Sequence, residues 1–333
     1  MTPLSRSAGT PKPGGTAAHT PLRVDPYIIA LLATVAFAAL CPARGGVASL
    51  VAGAADCAVA LIFFLYGSRL SAGEALAGLR HWRLHLTVLT STFVLFPLLG
   101  LTLRALVPSV IAPNLYTGLL FLCLLPSTVQ SSIVFTSTAR GNVPAAVCAG
   151  TYSSLLGMFV SPLLASVLIG GHTPFSASQL TGIGGQILLP FLVGQFARRW
   201  IGPAVSRHKT VLGRVDRGSV LLVVYTAFSE GIVRGIWHQV SPSRLFALCM
   251  VEAVLLALVL TTTSVAAHAL RFCREDRIAI VFAGSKKSLV NGLPIAAVLF
   301  GPGAGLIVLP LMLFHQMQLM VCAVIAQRWS WSP

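Results

Sequence analysis

The chain has 333 residues, of which 56% are hydrophobic and only 9% charged, with a mean hydropathy of +0.85. A soluble domain carries about 25% charged residues, so one water-soluble core is excluded and an all-α, multi-pass membrane protein is expected. The net charge of +15 would suit nucleic acid, but the basic residues lie in short connections between apolar stretches, where membrane topology places them. No nucleic-acid partner is expected; the bilayer is.

Residues 1–25 are rich in Pro, Gly, Ser and Thr and carry Arg6, Lys12 and Arg23. They read as a disordered polar tail. They lack a continuous apolar run followed by a small-residue cleavage site, so a cleaved signal peptide is not expected. Apolar stretches follow at 26–41, 47–68, 84–107, 115–138 and 143–169. After a Gly/Pro/Ser turn come 177–198, 217–236, 244–269, 278–299 and 304–327. Each is near the ~20 residues of a bilayer span, which predicts ten transmembrane helices. The segment 199–216 between the sixth and seventh reads as a long basic loop. The seven cysteines form no Cys-x-x-Cys pair and lie mostly in apolar stretches, as small apolar side chains rather than metal ligands or disulfides. No metal and no cofactor is expected.

With ten spans the basic residues divide 17 to 4 between the two faces. The tail, Arg69, Arg80, Arg83, Arg140, residues 198–217, Arg271, Arg274, Arg277 and Arg328 share one face, and Arg44, Arg104, Arg234 and Arg244 the other. That bias places both termini in the cytoplasm, in what reads as a bacterial inner membrane. Ten spans split into two units of five, 26–169 and 177–328. An odd number of spans per unit makes the two units insert with opposite orientation, an inverted repeat.

Two of the stretches are interrupted. Gly284–Pro294 reads Gly-Ser-Lys-Lys-Ser-Leu-Val-Asn-Gly-Leu-Pro, and Leu125–Ser132 reads Leu-Pro-Ser-Thr-Val-Gln-Ser-Ser. A Lys at mid-bilayer costs at least ~2.5–3.5 kcal/mol on insertion scales. Lipid cannot satisfy the backbone groups that helix breakers free, so such stretches must face protein or a water-filled cavity. The interruptions fall in the fourth and ninth spans, equivalent places in the two halves, and paired breaks of that kind point to the binding site of a secondary transporter.

Five stretches resemble the bile acid:sodium symporter superfamily, and more closely its SBF-like branch. They are Phe63–Ser71 (Phe-Phe-Leu-Tyr-Gly-Ser-Arg-Leu-Ser), Leu125–Ser132 continuing to Ala139-Arg140-Gly141-Asn142, Tyr225–Glu230 (Tyr-Thr-Ala-Phe-Ser-Glu), Ser285–Pro294, and Leu309–Leu319 (Leu-Pro-Leu-Met-Leu-Phe-His-Gln-Met-Gln-Leu). The resemblance implies a panel domain of spans one, two, six and seven. It faces a core domain of spans three to five and eight to ten, in which spans four and nine unwind and cross near the substrate. It also implies symport of an organic anion, bile-acid- or sterol-like or another carboxylate or sulfonate. The sodium-dependent relatives ligate sodium there through oxygens. Here Ser131 and Ser132 stand where those relatives have a Ser-Asn pair, and Ala146 and Gly150 where they have hydroxyls. The ninth span offers Lys286 and Lys287 and no carboxylate. This puts sodium coupling in question, with a proton as the other candidate ion.

Adjacent lysines on a helix point about 100° apart, so both can serve one site only if the backbone unwinds. In the structural reading one ammonium caps half-helix carbonyls while the other snorkels or pairs. In the functional reading one meets an anionic substrate or carries a proton. Thr128, Gln130, Ser131, Ser132, Ser285, Ser288 and Asn291 are candidates to line the site with the lysines. Glu230 and Glu252 are candidate partners of a lysine. His315 and Gln316, with Gln318, read as hydrogen-bonding groups between helices, with a proton relay through His315 as the alternative. Asp56, among Gly53, Ala54 and Ala55, reads as a helix-packing contact or a substrate contact. Catalytic residues are not expected, because no His-Glu-x-x-His, Gly-x-Ser-x-Gly or Walker motif is present. The competing class is a non-transporting membrane regulator of the same fold.

The charge bias yields a first test. Reporter fusions at Pro333 and at Gly171 should lie on opposite sides of the membrane, Pro333 in the cytoplasm; both on one side would break the inverted-repeat model.

Overall fold

The computed structural model describes residues 26–69, 81–169, 185, 189–233, 235, 241–301 and 304–331. The polar tail, the central turn at 170–184 and the start of the stretch 177–198 lie outside the described residues. Every described element is a helix. They are α1 (Pro26–Leu40), α2 (Gly45–Arg69), α3 (Trp82–Leu106), α4 (Pro113–Leu124), α5 (Val129–Thr138) and α6 (Val143–Leu168), then α7 (Leu189–Arg207), α8 (Lys209–Val233), α9 (Pro242–Ala269), α10 (Arg274–Gly284), α11 (Leu289–Phe300) and α12 (Ala304–Trp331).

Five of these, α2, α3, α6, α9 and α12, are long and apolar enough to cross a membrane. The pair α4 and α5 passes the same test as one span bent by 65°. Their apolar surfaces face outward as well as inward, with residues such as Leu50, Phe159, Leu163 and Val254 exposed, and a surface of that kind is stable only in lipid. The protein is therefore an integral membrane protein.

The remaining stretches depart from simple spans for reasons the residues supply. Helix α1 has only 15 residues. Helices α7 and α8 carry Arg198, Arg199 and Arg207, and Lys209, Arg214 and Arg217. The expected loop 199–216 is almost wholly helical, interrupted at His208. Arg199, Ala204, Arg207, Lys209, Leu212 and Arg214 favour helix there, and Gly202, Pro203 and Gly213 do not interrupt it. Asp56 is exposed on α2, and a Cβ at Gly53 would meet nothing within 4 Å. The sequence reading of Asp56 in a close helix contact is thus corrected.

Two groups of helices emerge from the packing. Helix α2 lies against α7 and α8, and α8 against α1. Helices α2 and α7 touch through Gly67 and Gly194. A Cβ at Gly67 would fall 2.0 Å from the Phe191 carbonyl oxygen, and one at Gly194 2.1 Å from that of Phe64; only glycine lets two helices approach so closely. In the second group, α4 packs on α12, α5 on α6, α6 on α10, α9 on α10 and α12, and α11 on α12. Helix α8 joins the groups through α11 and α12. Both breaks, between α4 and α5 and between α10 and α11, lie within the second group.

Candidate functional site: two interlocked helix breaks

Each broken stretch unwinds for four residues, Leu125–Thr128 and Ser285–Ser288. Pro126 has no N–H to continue α4. The second break follows Gly284 and begins at the hydrogen-bonding Ser285. Ser131, Ser132 and Asn291 stand in the first turns of α5 and α11 rather than in the unwound segments.

The two segments bond to each other directly. Ser288 N–H donates to the Pro126 carbonyl at 2.8 Å, and Thr128 Oγ1 donates to the Lys287 carbonyl at 2.8 Å. Ser127 Oγ donates to the Ala283 carbonyl at 2.5 Å, and Ser132 Oγ reaches that of Phe282 at 3.1 Å.

Lys287 fills the end of α4. Its Nζ donates to the carbonyls of Cys123 at 2.9 Å, Leu125 at 2.7 Å and Thr92 at 2.9 Å, all three ammonium protons used, and it lies 4.0 Å from the centre of the Phe96 ring. Each carbonyl is open for a traceable reason. In a regular helix Cys123 would receive the N–H of Ser127, but that N–H donates to Ser153 Oγ at 2.9 Å. Thr92 lies in a π-helical turn, Ser91–Leu95, in which Phe96 N–H bonds back to Ser91, while the next residue is Pro97, which has no N–H. The Leu124 carbonyl accepts from Ser161 Oγ at 2.7 Å. Of the two readings of the lysine pair, the carbonyl cap therefore applies to Lys287.

The end of α10 is filled differently, by hydroxyls. Besides Ser127 and Ser132, Ser91 Oγ donates to the Gly284 carbonyl at 2.8 Å and Ser285 Oγ to that of Val281 at 2.6 Å. Gln318 of α12 holds the Lys287 peptide. Its Oε1 accepts the Lys287 N–H at 2.9 Å, and its Nε2 donates to the Lys287 carbonyl at 2.9 Å and to His315 Nδ1 at 2.8 Å. Gln318 thus takes the interhelical role foreseen for it, while His315 bonds to Gln318 within α12 and Gln316 is half-buried on the same helix. Asn291 caps toward α6, its Nδ2 donating to Ser154 Oγ at 3.2 Å, and its N–H meets the Ser288 hydroxyl that caps α11.

Lys286 corrects an expectation. It neither snorkels nor pairs: it is wholly buried, its Nζ has no hydrogen-bond partner among the described residues, and it lies 3.9 Å from the centre of the Phe135 ring and 5.5 Å from that of Phe282. The lysine–carboxylate pairing is also corrected. Lys287 gives its protons to carbonyls because those stand at the break, and Glu252, wholly buried on α9, has no hydrogen-bond partner on either oxygen among the described residues. Glu230 is half-buried on α8. Gln130 is exposed at the start of α5, and Ser131 Oγ has no hydrogen-bond partner among the described residues.

Sequence reasoning left Ser91, Thr92, Ser127, Ser153 and Ser161 unassigned. Lone serines in apolar spans carry little signal. The sharper clue was Pro97, which leaves a carbonyl open one turn back in α3.

A latch completes the region at the Gly141–Asn142 motif. Asn142 N–H donates to the Glu275 carbonyl at 3.0 Å and Asn142 Nδ2 to Asp276 Oδ1 at 2.7 Å, while its own Oδ1 caps α6 by accepting from Ala145 N–H. The connection after α5 is thereby tied to the first turn of α10.

This arrangement can be compared with known proteins. The model of the SBF-like CPA transporter family matches residues 25–331. The chain belongs to this family. It is 53% identical over 309 residues to protein PA2026 of Pseudomonas aeruginosa, covering 92% of this chain and 93% of that one. It is 49% identical over 309 residues, with the same coverage, to an Escherichia coli protein named "Putative symporter YfeH". It is 28% identical over 315 residues to the sodium/bile acid cotransporter 7 of Danio rerio, covering 91% of this chain and 93% of the relative. The resemblance drawn from the five sequence stretches holds over nearly the whole membrane part.

The two lysines should respond oppositely to replacement. Lys287→Met leaves three buried carbonyls unpaired, at about 1–3 kcal/mol each, and should sharply lower the thermal unfolding temperature of the lipid-embedded protein. Lys286→Met removes an amine that makes no hydrogen bond among the described residues, keeps the volume and leaves a thioether against the Phe135 ring, so its unfolding temperature should hold or rise. Equal losses for both would contradict the geometry.

Proposed function

We propose that this protein is a secondary transporter of a small organic anion, of the bile-acid, sterol-conjugate, carboxylate or sulfonate kind, working by alternating access. The observation that carries the reading is how the interlocked breaks are filled. The C-terminal ends of α4 and α10 are neutralised by the chain itself, through Lys287 and through serine hydroxyls. The N-terminal ends of α5 and α11 lie at the same crossing. Half-helix N-termini carry partial positive charge and favour an anionic substrate. Gln130, Ser131 and Asn291 stand in those first turns, and Thr128 and Ser288 are their N-caps.

In this proposal the chain is an inverted repeat of five plus five spans, 26–169 and 177–328, with α4–α5 the fourth span and α10–α11 the ninth. Helices α1, α2, α7 and α8 form the panel, and the group that holds the breaks forms the moving core. The tail 1–25 and the C-terminus face the cytoplasm of a bacterial inner membrane. Lys287 stands where the sodium-dependent relatives hold an ion, its ammonium covalently attached. Its side chain supports the crossing in place of sodium, while Ser132 and Ser285 support the backbone and Lys286 packs behind it.

Counterflow into proteoliposomes tests this. Labelled taurocholate, a steroid sulfate and a dicarboxylate are offered as separate probes, in sodium and in potassium. At least one probe should exchange, at the same rate in either salt. No exchange with any probe would remove the transport reading, and steep sodium dependence would remove the tethered-ion reading.

A further inference from the structure

Glu252 has no part in the crossing just described. It lies in the first half of the 28-residue helix α9, on the face formed by Leu248, Leu255, Leu256 and Val259. It is 0% exposed, and among the described residues neither carboxyl oxygen has a hydrogen-bond partner. An ionised carboxylate held away from water without donors is among the most expensive groups a protein can bury. In a membrane span an unpaired acid marks an ion or proton pathway unless it is neutral and permanently enclosed.

Among the described residues, its surroundings offer no compensating cation. The titratable groups that reach it are the Cys249 thiol, nearly one turn earlier on α9, and the Cys123 thiol on α4. Helix α9 packs against α10, α12 and the π turn of α3. The charged residues of α10 are Arg274, Glu275, Asp276 and Arg277 in its first turns, the titratable residues of α12 are His315, Cys322 and Arg328, and the π turn has none. Lys287 lies beyond Cys123, its protons all committed to carbonyls. The neutral acid is therefore the form this pocket accommodates.

We infer that Glu252 is a proton-binding site of the transporter, occupied in the conformation described and exchanging with water when the core moves. The proton held by this carboxyl then takes the part of the mobile coupling ion, while the Lys287 ammonium takes the part of a fixed one. When the site opens to one side the O–H bond breaks and the proton passes to water there; when it opens to the other side the carboxylate takes a proton from water, and the acid is again the neutral form that is enclosed. Its role in coupling rests on the transport reading above; proton binding itself does not.

The test needs no substrate. Infrared difference spectra of the full chain in lipid at pH 7 should contain the carbonyl-stretch band of a protonated carboxylic acid. Glu252→Gln should abolish the band, and Glu252→Asp should retain it at a shifted frequency. Transfer from H2O to D2O should move the wild-type band as the proton exchanges. Absence of the band, its survival in Glu252→Gln, or a band that never shifts in D2O would each overturn the inference. Counterflow of the anion probes would be unaffected as a readout, so failure here and failure of the transport reading are distinguishable.

Discussion

A helix broken inside an apolar medium leaves carbonyl groups that only protein can satisfy, and the Lys287 ammonium meets that constraint here. One side chain bonds to three carbonyls from two helices, Thr92 of α3 and Cys123 and Leu125 at the end of α4. Its own backbone is held by Gln318 of α12 and by Thr128 at the start of α5. Lys287 thus ties the second break to the first and both to α3 and α12. Without a cation at that point the π turn forced by Pro97 and the break forced by Pro126 would each expose a dry acceptor.

The two halves solve the same problem unequally. At the end of α10 the acceptors are met by Ser91, Ser127, Ser132 and Ser285, neutral donors that each serve one or two carbonyls. At the end of α4 a single charge serves two, Cys123 and Leu125, and with them Thr92 of α3. A hydrogen bond from a charged donor contributes about 1.5–3 kcal/mol against about 1 for a neutral one, so one side chain does at the first break what four hydroxyls do at the second.

Much of this was legible in the residues. The breaks stood out because lysines, serines, prolines and an asparagine do not belong in a lipid-facing helix, and the structure unwinds within both stretches. The capping role was legible as one of two alternatives, but which lysine takes it was not. That choice depends on where the Thr92 carbonyl lies, 195 positions away in the chain, and no local pattern encodes that distance. Lys286 was misread as snorkelling or paired because its partners are the faces of Phe135 and Phe282, and ring faces leave no polar mark in a sequence. The pairing of Glu252 with a lysine failed for a related reason: opposite charge alone does not bring two groups together when backbone acceptors are nearer. The helical segment 199–216 was taken for a loop because hydropathy reports burial in lipid and says nothing about helices that run past it.

In the proposed function the covalently tethered Lys287 ammonium takes the place of a free ion. The most direct measurement is thermal unfolding of Lys287→Ala, which leaves space as well as open carbonyls, during titration with sodium, ammonium, potassium and choline. A cation that binds only the folded form raises stability with its concentration. Sodium or ammonium should therefore restore the variant in a saturable way and leave the wild type unmoved. A wild type stabilised by sodium, or a variant that no cation restores, would contradict the claim.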